Sequence, residues 1–225
     1  LKQQSVTWEL AARDRIIAAG QTAAVDVSTG TVTEIDLICV PLGAVERARK
    51  LVLTLTVTGT RFRNRYPLWV YPVHVRAAPP EGLLVARSFT AQARAALAAG
   101  ARVLLLPRPG EMARTVATAF QTGFWSPMFR RPDRPSPLGG ETPGTQGLLC
   151  DPDHPLFCHF PTEYHANWQW WRLVKRAGPM ILDETPHTYR PLLQVIDGFD
   201  RNHKLGLIAE ARGGPGGLLV LRQWL

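Results

Sequence analysis

The densest collection of side chains able to do chemistry in this 225-residue sequence lies between Cys150 and His165. It comprises Cys150, Asp151, Asp153, His154, Cys158, His159, Glu163 and His165. Zinc takes thiolate, imidazole and carboxylate ligands, but structural sites pair their cysteines at short spacing. Cys150 and Cys158 stand eight residues apart with no second Cys-x-x-Cys, so no metal is expected. A Cys or Ser nucleophile on a strand-to-helix elbow needs small flanking residues, as in Gly-x-Ser-x-Gly. Leu149-Cys150-Asp151, Phe157-Cys158-His159 and Ile38-Cys39-Val40 all lack them. Glycoside chemistry would need two carboxyls about 5–10 Å apart. Glu163 and the Asp183-Glu184 pair are the plausible members, but nothing in the spacing enforces that separation. No residue is therefore assigned a catalytic role, and no cofactor is expected. The bland reading is a loop whose His and Asp residues cap turns and the helix that follows.

Aromatic side chains form the second group. Asn167-Trp168-Gln169-Trp170-Trp171 falls in a segment, Thr162 to Ala177, with a good N-cap and a Gly178-Pro179 stop. Read as one helix, it puts Tyr164, Trp168, Trp171 and Lys175 on a single stripe. Trp168 and Trp171 are then expected in the core. Trp170, about 130° away at ~100° per residue, is expected to be exposed. Contact with carbohydrate or a partner is expected, if anywhere, at Trp69, Tyr71, Glu163, His165, Asn167 and Trp170.

Residues 1–72 read as β structure. Strand candidates are Ser5–Leu10, Asp14–Ala19, Ala23–Ser28, Thr31–Val40 and Leu51–Thr58, with a Thr29-Gly30 turn. The last alternates strictly, Leu51, Leu53, Leu55 and Val57 against Val52 and three Thr. Gly43 to Lys50 has room for one helical turn. A complete immunoglobulin-type sandwich takes about 100 residues, so this one is expected to be partial. Residues 73–80, with Ala77-Ala78-Pro79-Pro80, read as a linker. Beyond it, Leu83–Ala86, a helix Ala91–Ala99 capped by Ser88 or Thr90 and stopped at Gly100, and Arg102–Leu106 make a βαβ unit. Pro107–Pro161 reads as long loops. Leu192–Ile196, Leu205–Ala211 and Leu218–Arg222 are later strands, and Arg212 to Gly217 is a hairpin loop between the last two.

Composition narrows the class. The sequence is 45% hydrophobic, with 19 Gly, 19 Pro and 3 Cys, and no apolar run approaches a membrane span. The net charge of +8 comes from scattered arginines. Only Arg61/Arg63/Arg65, alternating on one strand face, and Arg130/Arg131/Arg134 are denser. With no nucleic-acid-binding signature beside them, neither nucleic acid nor membrane is an expected partner. The first residue is Leu1, and no charged segment leads into an apolar one. The chain reads as a piece of a larger protein.

Three blocks carry a family resemblance. They are Val57–Pro72 (VTGTRFRNRYPLWVYP), Gly147–Pro155 with Phe160–Trp171, and Leu193–Leu207 (LQVIDGFDRNHKLGL). Together they resemble the C-terminal region of bacterial glycoside hydrolase family 2 (β-galactosidase-like) proteins. The resemblance implies an α/β fold for 81–225: an amidotransferase/flavodoxin-like, mostly parallel sheet with flanking helices, preceded by a partial Ig-like β-sandwich in 1–72. It implies an accessory, non-catalytic role in packing, assembly or cleft shaping. The family's glutamates belong to a (β/α)₈ barrel that this length cannot hold beside the α/β pattern. The implied partners are that barrel or another subunit, carbohydrate, and a second copy in a homo-oligomer. The implied location is periplasmic or extracellular. The alternatives are a carbohydrate-binding module, with Trp69, Tyr71 or Trp170 as platforms, and a small hydrolase using the Cys150–His165 region.

Overall fold

The computed structural model describes residues 2–13, 15–74, 78–108, 111–116, 118, 145–175, 177–198 and 201–221. Arg130, Arg131 and Arg134, with most of the Pro-rich middle, lie outside them, as do linker residues 75–77 and Arg176. The chain gathers into two compact units: Leu1–Arg76 with Asp153–Thr162, and Ala77–Pro152 with Glu163–Leu225.

The first unit is one antiparallel sheet. Its strands are β1 (Val6–Ala12), β2 (Arg15–Gln21), β3 (Arg49–Val57) and β4 (Arg63–Val70), in the order β2-β1-β3-β4. The alternation of β3 sets the two faces. Leu51, Leu53 and Leu55 stand opposite Leu68, Tyr66 and Asn64 of β4, and Leu53 and Leu55 stand opposite Leu10 and Trp8 of β1. Directly opposed residues share a face, so these form one apolar side. The other carries Thr54 and Thr56 with Arg65 and Arg63. On the apolar side Leu10 and Leu51 are buried, whereas Tyr66 and Leu68 remain exposed.

Two expected strands do not form. Ala23–Ser28 contributes only a bridge between Gln4 and Val25. Thr31–Val40, the richest β-former in the unit, pairs with no strand among the described residues, and no helical turn spans 43–50. High β-propensity makes a segment fit a sheet; it does not supply the neighbouring ladder a strand needs. The separate segment Asp153–Thr162 contributes a 3₁₀ turn at Pro155–Phe157, where the His154 Nδ1 accepts the Leu156 N–H at 3.2 Å. Phe157 is buried there, and Phe160 meets Tyr71 with ring centroids 6.0 Å apart.

The second unit opens on the expected βαβ unit. β5 (Leu83–Ala86), helix α1 (Ala91–Ala98) and β6 (Arg102–Leu105) follow in turn, and β5 and β6 are parallel. Thr90 caps α1 by accepting the Ala93 N–H, and Gly100 ends it with φ +91°. Ala93, Leu97 and Val103 bury the helix against the sheet. The remaining elements are β7 (Gly147–Cys150), helix α2 (Trp168–Val174), β8 (Met180–Ile181), β9 (Leu193–Ile196), β10 (Lys204–Gly213) and β11 (Gly216–Leu221).

The sheet order, β5-β6-β11-β10-β9-β7 with β8 on β10, overturns the flavodoxin-like expectation. Only β5/β6 and β6/β11 are parallel; β11/β10, β10/β9, β9/β7 and β10/β8 are antiparallel. Each parallel neighbour needs a long crossover, usually a helix, and α1 alone serves that purpose among the described residues. β10 and β11 instead turn through Gly214-Pro215, with the positive φ at Gly214 (+66°) that a type II′ hairpin requires at its first central residue. The long helix expected over 162–177 is also shorter. It begins after Asn167, because Leu149 and His165 form an antiparallel bridge that ties His165 to β7 and keeps it out of the helix.

Candidate functional site

Within the second unit, β7 and the stretch before α2 assemble the first polar group. The Cys150 N–H donates to the Tyr164 carbonyl at 3.0 Å, and the Cys150 Sγ donates to the Glu163 carbonyl at 3.2 Å. The Glu163 carboxylate lies 3.7 Å from the His165 Nε2 and accepts from the Asn167 Nδ2 at 3.5 Å. Tyr164 packs edge-on to His165, centroids 4.6 Å apart. Because His165 opposes Leu149, strand alternation puts its ring on the face opposite that of Cys150. The thiol is thus directed at the Glu163 carbonyl. Cys158, His159 and His154 belong to the first unit. No group of three or more metal-binding side chains occurs among the described residues.

A second polar group lies at the β9–β10 loop, and of its members only Asp183 is a candidate from the sequence. Asp197 is buried, and its Oδ1 accepts from the Gly198 N–H at 2.8 Å and from the Arg201 Nη2 at 2.6 Å. Its Oδ2 accepts the His203 N–H at 3.1 Å. The loop closes through Asn202, held at φ +54°. Beyond it, Asp183 takes the His203 Nδ1 and the Lys204 N–H, each at 2.7 Å. These two bonds, the His203 ring first, hold its carboxyl below the ordinary value. The Lys204 Nζ donates to the Thr185 Oγ1 and the Pro186 carbonyl at 2.9 Å each, and lies 5.4 Å from the centre of the Tyr189 ring. Glu184, the other half of the expected carboxylate pair, is exposed and paired with Arg114. Sequence held one signal for this group, the i,i+4 spacing of Asp197 and Arg201. Asp183 and His203 stand too far apart in the chain to suggest each other.

The aromatic expectations are inverted. Trp170 is 4% exposed, with Val174 beside it on the buried side of α2. Trp168 is 79% and Trp171 41% exposed, and the Lys175 Nζ lies 5.5 Å from the Trp171 ring centre. The stripe of Tyr164, Trp168 and Trp171 was drawn on a helix extending back to Thr162. With Tyr164 outside the helix that stripe does not exist, and the short helix turns Trp170 and Val174 inward.

In the first unit, Trp69 is half-buried under the Lys50 ammonium, 5.8 Å from the ring centre. Its Nε1 is buried without a hydrogen-bond partner among the described residues. Burial pushes the Tyr71 hydroxyl up to about 12. Trp69 and Tyr71 sit in the first unit while Glu163, His165, Asn167 and Trp170 sit in the second.

Comparison with known proteins gives two family matches. Residues 84–223 match the family described as Domain of unknown function (DUF8487), and residues 1–72 match Domain of unknown function (DUF8488). No curated protein matches the chain.

Proposed function

The chain belongs to the DUF8487 family, whose pattern spans most of its length, and we propose, from the resemblance carried by Val57–Pro72, Gly147–Pro155, Phe160–Trp171 and Leu193–Leu207, that it is an accessory, non-catalytic region of a carbohydrate-active protein similar to family 2 glycoside hydrolases. One observation supports this reading. The side chains with the most chemical potential, Cys150 and Asp197 inside the blocks that carry the resemblance and Asp183 between them, are spent on holding loops. Asp197 is saturated by two backbone N–H groups and Arg201, Asp183 by His203 and Lys204, and the Cys150 thiol by a carbonyl. Groups so engaged build a rigid scaffold, and a scaffold of this kind serves packing, assembly or the shaping of a neighbouring cleft.

A carbohydrate-binding role is the second reading, favoured by the exposure of Trp168 and Tyr164. The two separate in one set of measurements. The purified chain is expected to release no nitrophenol from aryl β-galactosides and to migrate unretarded through gels containing polysaccharide. Turnover that survives repurification and disappears in Cys150→Ala or His165→Ala would overturn the accessory reading. Retardation abolished by Trp168→Ala would replace it with sugar binding.

A further inference from the structure

Among the described residues, the first unit holds a strand with one open edge and a strand-like segment with no ladder, and the two carry opposite charge. Among the described residues β4 is an edge strand, and from Arg63 to Leu68 its residues are exposed. Val57 donates to the Phe62 carbonyl at 3.0 Å, which makes that pair a hydrogen-bonded one. Antiparallel pairs alternate, so the backbone groups of Arg63 and Arg65 point away from β3. Arg61, Arg63 and Arg65 carry no ion pair among the described residues, and no acid lies between Arg61 and Val70. Pro67 falls at an outward position, so the open ladder is confined to the stretch before it.

Thr31–Val40 is the other segment. It has the composition of a strand, carries Glu34 and Asp36 and no base, and is highly exposed: Val32 at 104% and Leu37 at 78%. Glu34 and Asp36 are spaced two apart, as are Arg63 and Arg65, so both pairs present one face of a strand. With carboxylates set against guanidiniums, Ile35 and Leu37 fall on the opposite face. That is the face of Leu53, Leu55, Tyr66 and Leu68, where exposed apolar surface is waiting to be covered. The match of charge and of hydrophobic face arises together, in either strand direction.

We propose that Thr31–Val40 of one copy of this chain pairs with the β4 edge of a second copy, reciprocally, as an isologous dimer. A second copy is the occupant because this chain supplies both complementary halves. Direct β4–β4 pairing would instead set arginines against arginines. Two-fold symmetry uses each half once and closes the assembly.

Sedimentation equilibrium of the full chain tests this. The wild type is expected at twice the chain mass, with dissociation promoted by salt. Arg63→Glu/Arg65→Glu and Glu34→Arg/Asp36→Arg are each expected to be monomeric, since all four positions are on the surface. Mixing the two variants is expected to restore a 1:1 dimer, because both contacts then regain opposite charges. A monomeric wild type, a variant that remains dimeric, or a mixture that stays monomeric would each overturn the proposal.

Discussion

At the residue scale, burial rather than residue type decides what a side chain does. Trp168, Trp170 and Trp171 share one chemistry and one short helix, yet only Trp170 is enclosed. Trp170→Ala should cost about 3–5 kcal/mol, the usual loss for a buried aromatic. Trp168→Ala should stay within about 0.5 kcal/mol, as for a surface site. Urea denaturation midpoints check both, and equal effects would refute the orientation of α2. Asp183 makes a pH prediction. Its folded pKa is depressed, so its contribution to stability is present above the unfolded value, about 3.9, and is lost as pH falls through the lower folded value. Between those two points the wild type should lose stability more steeply than Asp183→Asn. Thermal melts across pH 2–5 (roughly the window of carboxylate titration) read the difference.

At the element scale, the hairpin joining β10 and β11 is held to a close approach that only glycine permits. A Cβ on Gly216 would stand 2.4 Å from the Leu97 carbonyl oxygen and 2.7 Å from that of Ala101. Both are backbone atoms, one in the last turn of α1 and one just before β6, and cannot swing aside. One on Gly217 would meet nothing within 4 Å. Gly216→Ala should therefore lower stability by about 1–3 kcal/mol, as overpacking does, while Gly217→Ala changes little. Calorimetric unfolding of the pair separates a packing constraint from a general dislike of alanine in a hairpin. The βαβ unit, this hairpin and β3 were all legible in the sequence, because each rests on a local signal: a cap, a positive-φ glycine or strict alternation. The start of α2 was not. The Thr162 cap signal is sound locally, but the Leu149–His165 bridge ties His165 to β7 instead.

At the scale of the whole molecule, the unused β edge and the acidic segment give the chain a reason to associate. If it dimerises as proposed, its unfolding midpoint should rise with protein concentration, since dissociation precedes or accompanies unfolding. A midpoint independent of concentration over two decades would speak against assembly. The family's pattern over 84–223 and the second pattern over 1–72 say which sequences share these two stretches. The proposed role rests on how their polar side chains are spent.

Sequence alone determined the elements whose stability is local, and it placed the strands β5, β6, β9, β10 and β11 to within a few residues. It also singled out the block that carries the loop-holding Asp197. Tertiary structure decided the direction of strand pairing, the inward turn of Trp170, and the failure of Thr31–Val40 to become a strand. The reason is common to all three. A strand or a helix face is completed by what lies beside it, and the identity of that neighbour is a long-range property that no local spacing encodes.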